Sequence, residues 1–234
     1  MPELYPILLD LQEKKCVVVG GGKVAERKIA ALLAAAAEVV VVSPVVTAGI
    51  ERMRLAGNLR VLLREYGEDV LRGASLAFAC TDSDDVNARV CADARKQGVF
   101  ANNVSQPEKG DMRNMACLRR GKLQICVATG GASPLLARQL IRRLADEFGP
   151  EYATYVEFLE ELRSKVQIAN FSADKRRRIL ASALQWGILE QIGNDTFMAN
   201  RDSILRELLE ARHEDDLRGN PAERACRHAD GTSD

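Results

Sequence analysis

The sequence predicts an α/β protein: a Rossmann-like, doubly wound parallel sheet, then a short hairpin-and-helix segment and a C-terminal helical region. Three observations carry this. Over the first hundred residues, short β-branched runs alternate with amphipathic stretches, the pattern of βαβ units. The first run passes directly into Gly20-Gly21-Gly22 and a helical stretch. After Asn102 the alternation stops, and from Glu151 the apolar residues recur at helical spacing.

Taken in order, residues 16–19, 39–42, 59–63, 76–79 and 99–101 are apolar on both faces, as buried parallel strands are. Residues 23–36, 48–56 and 84–96 read as the intervening helices, the third capped by Ser83 and stopped by Gly98. Residues 106–110 form a turn cluster. Residues 115–118 and 123–128 flank Arg119-Arg120-Gly121-Lys122 as a hairpin. Thr129-Gly130-Gly131-Ala132 is a glycine-rich turn, and Ser133-Pro134 opens a helix that runs to about Phe148, ahead of Gly149-Pro150. Residues 151–165, 173–191 (with Ser172 as cap) and 201–213 read as helices, and the polar residues 214–234 as a disordered tail. The chain thus divides into 1–113, 114–150, 151–213 and the tail.

With 234 residues, 47% hydrophobic, 28% charged and no net charge, the chain can bury a substantial core and is not disordered as a whole. No apolar run reaches the roughly 20 residues of a membrane span, so no membrane partner is expected. Balanced charge, and basic residues without interleaved aromatics, argue against a nucleic-acid partner. The six cysteines (16, 80, 91, 117, 126, 226) include no C-x-x-C pair and read as small core residues of a reducing cytoplasm. The two histidines, His213 and His228, fall near the C-terminus, so neither a Ser-His-Asp mechanism nor a histidine-bound metal is expected.

Gly20-Gly21-Gly22-Lys23-Val24-Ala25 after Val17-Val18-Val19 is G-x-G-x-x-A in a strand–turn–helix context. Gly20 permits the tight turn, Gly22 lets backbone approach a pyrophosphate, and Ala25 lets the helix pack close to the strand. The helix N-terminus, with Lys23 and Val24, supplies N–H donors and a positive dipole end. The plain alternative is a tight βα turn and nothing more. The acid that commonly ends the second strand to bind ribose is absent, and Ser43-Pro44-Val45 stands there, which leaves NAD and NADP undecided.

Several segments, in order, resemble the precorrin-2 dehydrogenase/sirohydrochlorin ferrochelatase family of siroheme synthesis. They are Tyr5-Pro6-Ile7-Leu8-Leu9-Asp10-Leu11, then Val19 to Lys28, Ala79-Cys80-Thr81-Asp82-Ser83-Asp84-Asp85-Val86-Asn87, Asn102-Asn103-Val104, and Val127 to Arg138. The resemblance implies NAD-dependent oxidation of precorrin-2 to sirohydrochlorin. In some family members ferrous iron is a second substrate, inserted by the same protein. It also implies a homodimer, with 114–150 as the dimerisation segment. Two rivals stay open: a non-catalytic tetrapyrrole or dinucleotide binder, and a chelatase that no longer uses NAD.

Residue chemistry is compatible with a carboxylate-rich tetrapyrrole. Arg113, Arg119, Arg120, Lys122 and Arg138 are candidate carboxylate holders, since guanidinium forks match carboxylates. A surface turn or solvated helix charges are the alternatives. Thr129-Gly130-Gly131 offers backbone donors and a hydroxyl ahead of a helix. Thr81, Asp82 and Asn102 end strands at the carboxyl edge, where ligands bind in open α/β sheets, so a place beside the nicotinamide is expected, a capping turn being the alternative. The family commonly has an aspartate as general base where this chain has Ser105, and its downstream aromatic and proline are also replaced. A serine without a neighbouring base is a poor proton acceptor near neutral pH. Asp111 and Glu108 are the candidate substitutes.

Overall fold

The computed structural model describes residues 4–184, 186–194 and 196–210. They form two compact units, one made of the chain up to Ala116 with Ala128–Ala137, the other of Cys117–Val127 and the chain from Arg138.

The first unit holds five strands, β1 (Lys15–Val19), β2 (Glu38–Val42), β3 (Arg60–Leu62), β4 (Leu76–Ala79) and β5 (Phe100–Asn103). They pair in parallel in the order β3-β2-β1-β4-β5, with Val17 opposite Val40 on one side and Ala77 on the other. Cys16 and Val18 of β1 pack against Ala25, Ile29 and Leu32 of α1 (Lys23–Leu33) and Ile50 of α2 (Ala48–Leu55). Val17 and Val19 face the other way, into Val90, Cys91 and Ala94 of α3 (Asp84–Lys96) and Leu71 of a 3-10 turn, Glu68–Leu71. Helices cover both faces, so the middle strands β1, β2 and β4 are buried and apolar apart from Lys15 and Glu38 at their starts, the doubly wound arrangement expected.

Boundaries differ from expectation where a non-local partner intervenes. α1 stops at Leu33, and Ala36 takes φ 55° with its carbonyl accepting from the Glu13 amide at 3.1 Å. Ser83 does cap α3, accepting from the Val86 amide at 3.3 Å, and Gly98 follows it at φ 71°.

The second unit holds the hairpin, β6 (Ala116–Arg120) and β7 (Leu123–Val127), turned by Gly121 at φ 54°. It also holds most of α4 (Pro134–Glu147), and α5 (Glu151–Ile168), α6 (Ala173–Ser182), α7 (Trp186–Gly193) and α8 (Phe197–Glu210). Its core is Phe158, Leu162, Val166, Ile179, Ala183, Phe197 and Leu205. The helix expected over 173–191 is two helices, because the Tyr155 hydroxyl donates to the Ala183 carbonyl at 2.8 Å and holds the break. The helix expected from 201 begins at Phe197, whose ring meets Phe158 edge-on at 5.2 Å. The hairpin is fastened to the helices by Lys122, which pairs with Glu160 at 2.5 Å, and Arg120, which donates to the Phe148 carbonyl at 2.8 Å. The tail expected to be disordered, 214–234, lies outside the described residues.

Candidate functional site

β1 ends at Gly20 with φ 116°, where a Cβ would lie 2.5 Å from the Cys80 carbonyl oxygen at the end of β4. A Cβ on Gly21 would come within 2.0 Å of the Val45 carbonyl oxygen. Gly22, by contrast, has φ −82° and open space where its Cβ would be. It is the N-cap of α1 without any side-chain cap, so the first-turn N–H groups of the helix have no side-chain acceptor there. The protein's own backbone therefore forces the first two glycines, and the third leaves room in front of a positive helix end. That combination fits a dinucleotide pyrophosphate. Gly21 occupies a variable place of the G-x-G pattern, and no sequence signal marks it.

Around this turn the side chains are tied down. Ser43 donates to the Val45 carbonyl at 2.7 Å, while Pro44 and Val45 are exposed. Ala25 is fully buried. Lys23 pairs with Glu26 at 3.1 Å, and Glu26 accepts from the Thr47 hydroxyl at 2.6 Å, which with Lys23 holds its carboxyl below the usual range. Lys28 reaches from α1 to Asn114 Oδ1 at 2.5 Å and lies 5.6 Å from the Phe78 ring centre, and burial lowers its ammonium. Burial also pushes the Cys80 thiol up to about 11, which keeps it protonated at neutral pH.

At the ends of β4 and β5 the groups bind one another. Asn87 of α3 is fully buried. Its Oδ1 accepts from the Thr81 amide at 3.0 Å and lies 2.8 Å from the Thr81 hydroxyl; its Nδ2 donates to the Thr81 carbonyl at 3.0 Å and to Ser105 Oγ at 3.2 Å. Ser105 in turn donates to Asn103 Oδ1 at 3.1 Å, which also accepts from the Ser105 and Gln106 amides. Asn102 donates to the Met112 carbonyl at 2.9 Å. Asp82 stands exposed at the edge. Sequence reading passed over Asn87 as a site residue, although its position four residues after the Ser83 cap puts it on the buried side of α3.

The two candidate substitute bases fare differently. Asp111 pairs with Arg95 at 3.0 Å, and its other oxygen lies 3.4 Å from the Ala101 amide. Glu108 is exposed in a 3-10 turn, Pro107–Lys109. Arg113 donates to the Gly130 carbonyl at 2.8 Å, bracing a turn in which Gly130 and Gly131 have φ 62° and 95°. Thr129 Oγ1 accepts from the Ser133 amide at 3.1 Å, and Ser133 caps α4 through the Leu136 amide at 3.1 Å. All of these lie in the first unit.

Arg119, Arg120, Lys122 and Arg138 belong to the second unit. Arg120 donates to three backbone carbonyls, those of Phe148, Ala145 and Arg119, so it closes the C-terminal end of α4. Lys122 is paired with Glu160, and Arg119 and Arg138 are exposed. Among the described residues no three of His, Cys, Asp and Glu converge to hold a metal ion, and no helix is long and apolar enough to cross a membrane.

Comparison with known proteins identifies the family. Residues 7–116 match the NAD_binding_7 family, described as "Putative NAD(P)-binding". The chain is 31% identical over 181 residues to the precorrin-2 dehydrogenase of Priestia megaterium, covering 77% of this chain and 89% of that protein. It is 34% identical over 206 residues to the siroheme synthase of Chromobacterium violaceum, covering 88% of this chain and 44% of that protein. The chain thus spans less than half the length of the siroheme synthases it matches. Among solved structures, SirC, a precorrin-2 dehydrogenase, superposes with a TM-score of 0.74 at 28% identity, covering 89% of this chain and all of that one. The chain belongs to the precorrin-2 dehydrogenase family.

Proposed function

We propose that this chain oxidises precorrin-2 to sirohydrochlorin with NAD as the acceptor, as a step of siroheme synthesis. The observation that carries the reading is the glycine turn, closed by backbone at Gly20 and Gly21 and open at Gly22 before an uncapped helix N-terminus. This turn would hold NAD, which would supply the hydride acceptor for the oxidation.

The protein's own share is positional. Gly22 and the first-turn N–H groups of α1 hold the pyrophosphate, with Ser43 and backbone toward the ribose. Thr81 and Asn102, braced by Asn87 and the Met112 carbonyl, form a stiff floor at the carboxyl edge. Arg113 steadies the Thr129–Gly131 turn, whose N–H groups offer donors to substrate carboxylates. Ser105 keeps its hydroxyl proton on Asn103, so the proton that leaves the macrocycle goes to water. The gain in conjugation favours oxidation, and positioning supplies most of the rate. Iron insertion is a weaker fit, because a neutral hydroxyl at residue 105 stands where two pyrrole protons would need acceptors. We further read the protein as a cytoplasmic homodimer joined through the hairpin segment, since the outer edges of a two-stranded sheet offer unpaired backbone groups to a second copy.

Mixing purified protein with NAD and precorrin-2 and following NADH absorbance tests the reading. Stoichiometric NADH with sirohydrochlorin is expected. Binding of either partner without NADH would instead favour a carrier. Light scattering tests assembly, where a stable monomer near 25.7 kDa would overturn the dimer.

A further inference from the structure

The hairpin carries a feature that dehydrogenation does not use. Cys117 of β6 and Cys126 of β7 face each other with their sulfurs 3.3 Å apart, Cys126 donating to Cys117. Both are half-buried, whereas Cys16, Cys80 and Cys91 are buried in the core of the first unit. Two strands of one tight hairpin hold the pair, with only Leu118 to Ile125 between them. A disulfide needs the sulfurs at about 2.05 Å, so a shift of little more than 1 Å, within reach of side-chain rotation, joins them. Burial and the neighbouring Cys117 raise the Cys126 thiol, and Arg119 opposes this.

We propose that Cys117 and Cys126 are a thiol-oxidation site, converted to an intrachain cross-strand disulfide by exchange with a small-molecule disulfide such as oxidised glutathione. One protein thiolate attacks a sulfur of the small disulfide. A protein–glutathione mixed disulfide forms, and one glutathione thiolate leaves. The second protein thiolate then attacks the protein-side sulfur of that mixed disulfide, which forms the Cys117–Cys126 bond and expels the second glutathione. Two protein thiols are oxidised, one glutathione disulfide is reduced to two thiols, and the two protons pass to the departing thiolates. The proximity of the second thiol makes the mixed disulfide short-lived. The hairpin's free thiols suit a reducing compartment, and the pair closes when the small-molecule pool turns oxidising.

The full-length chain is incubated with oxidised glutathione, alkylated under denaturing conditions and digested with trypsin. The expected product is a link between peptides 114–119 and 123–138, at least tenfold more abundant than any other cysteine pairing and removed by dithiothreitol. Cys117→Ser should hold glutathione stably on Cys126, because the resolving thiol is gone. Cys126→Ser, read in the same way on Cys117, covers the case in which the first variant misfolds. Persistent glutathione on both wild-type thiols would overturn the proposal. So would links to Cys16, Cys80, Cys91 or Cys226, or a link between two chains at twice the mass on a non-reducing gel.

Discussion

Two turns lie at the carboxyl edge of the same sheet and are built on opposite plans. After β1, three glycines remove side chains, and at Gly22 both the space and the helix donors are left open. After β4 and β5, polar side chains bind one another: Asn87 binds Thr81 and Ser105, and Ser105 binds Asn103, while Asn103 Nδ2 and Gln106 Oε1 stay buried without a partner. On the proposed reading one turn admits a ligand's phosphates, and the other keeps its own backbone still. A residue's role at such an edge therefore depends on which plan surrounds it, and substitutions should behave differently in the two places.

The largest effect is expected within the glycine turn itself. Gly21→Ala places a methyl 2.0 Å from the Val45 carbonyl oxygen, a backbone atom that cannot swing aside. Overpacking of this kind costs about 1–3 kcal/mol and should lower the melting temperature by several degrees. Gly22→Ala, whose methyl meets nothing within 4 Å, should melt like the parent. Equal melting temperatures for the two would show that the turn relaxes and that its glycines are not distinguished as described.

Next comes the polar edge after β4 and β5. Asn87→Ala strips the half-buried Thr81 amide of its acceptor and removes the donor to Ser105. An unsatisfied buried group costs about 1–3 kcal/mol. Urea denaturation should report a loss in that range, with a fall in kcat and little change in NAD affinity, since Asn87 braces the floor and not the phosphate turn. A matching loss of NAD affinity would mean that the two turns are mechanically one.

That contrast explains which parts were readable from sequence. The strands were, because burial on both faces forces uninterrupted apolar runs such as Val39–Val40–Val41–Val42. Gly20 was readable because its pattern is local. Gly21 was not, since its obstacle is the carbonyl of Val45, twenty-four residues on. The end of α1 carries no glycine; Ala36 is held at positive φ by the distant Glu13 amide. The basic hairpin shows the same limit from the side of charge. Sequence displays Arg120 and Lys122 as cations for carboxylates, and the fold adds that Arg120 donates to helix carbonyls and that Lys122 forms an exposed pair with Glu160.

A smaller effect should appear at the open position. Gly22→Asp puts a carboxylate into the space before the helix N-terminus, where the pyrophosphate would lie. NAD affinity by calorimetry should fall at least tenfold, about 1.4 kcal/mol, with a native circular dichroism spectrum. Unchanged affinity would remove the cofactor from this turn.

The smallest and most informative change is Ser105→Asp. The family's aspartate suggests that a carboxylate here would take the substrate's proton, and general-base help is typically worth about 10²–10⁴-fold. The surroundings trim that gain. A carboxylate at residue 105 keeps the Asn87 amide as a donor but faces Asn103 Oδ1, which cannot turn away because it also accepts from the Ser105 and Gln106 amides. The expected rise in NADH formation is therefore about tenfold, at the low end of the range. Asp111→Asn should leave the rate near the parent's, since that carboxylate is occupied by Arg95 and the Ala101 amide, and Glu108→Gln should do the same from its exposed turn. If either of these two variants instead loses tenfold and Ser105→Asp gains nothing, the base has moved to that carboxylate and water is not the acceptor. Relieving the clash separates the remaining causes: Asn103→Val combined with Ser105→Asp should exceed Ser105→Asp alone if the Asn103 oxygen is what limits the gain, and should not if the carboxylate fails to reach the macrocycle.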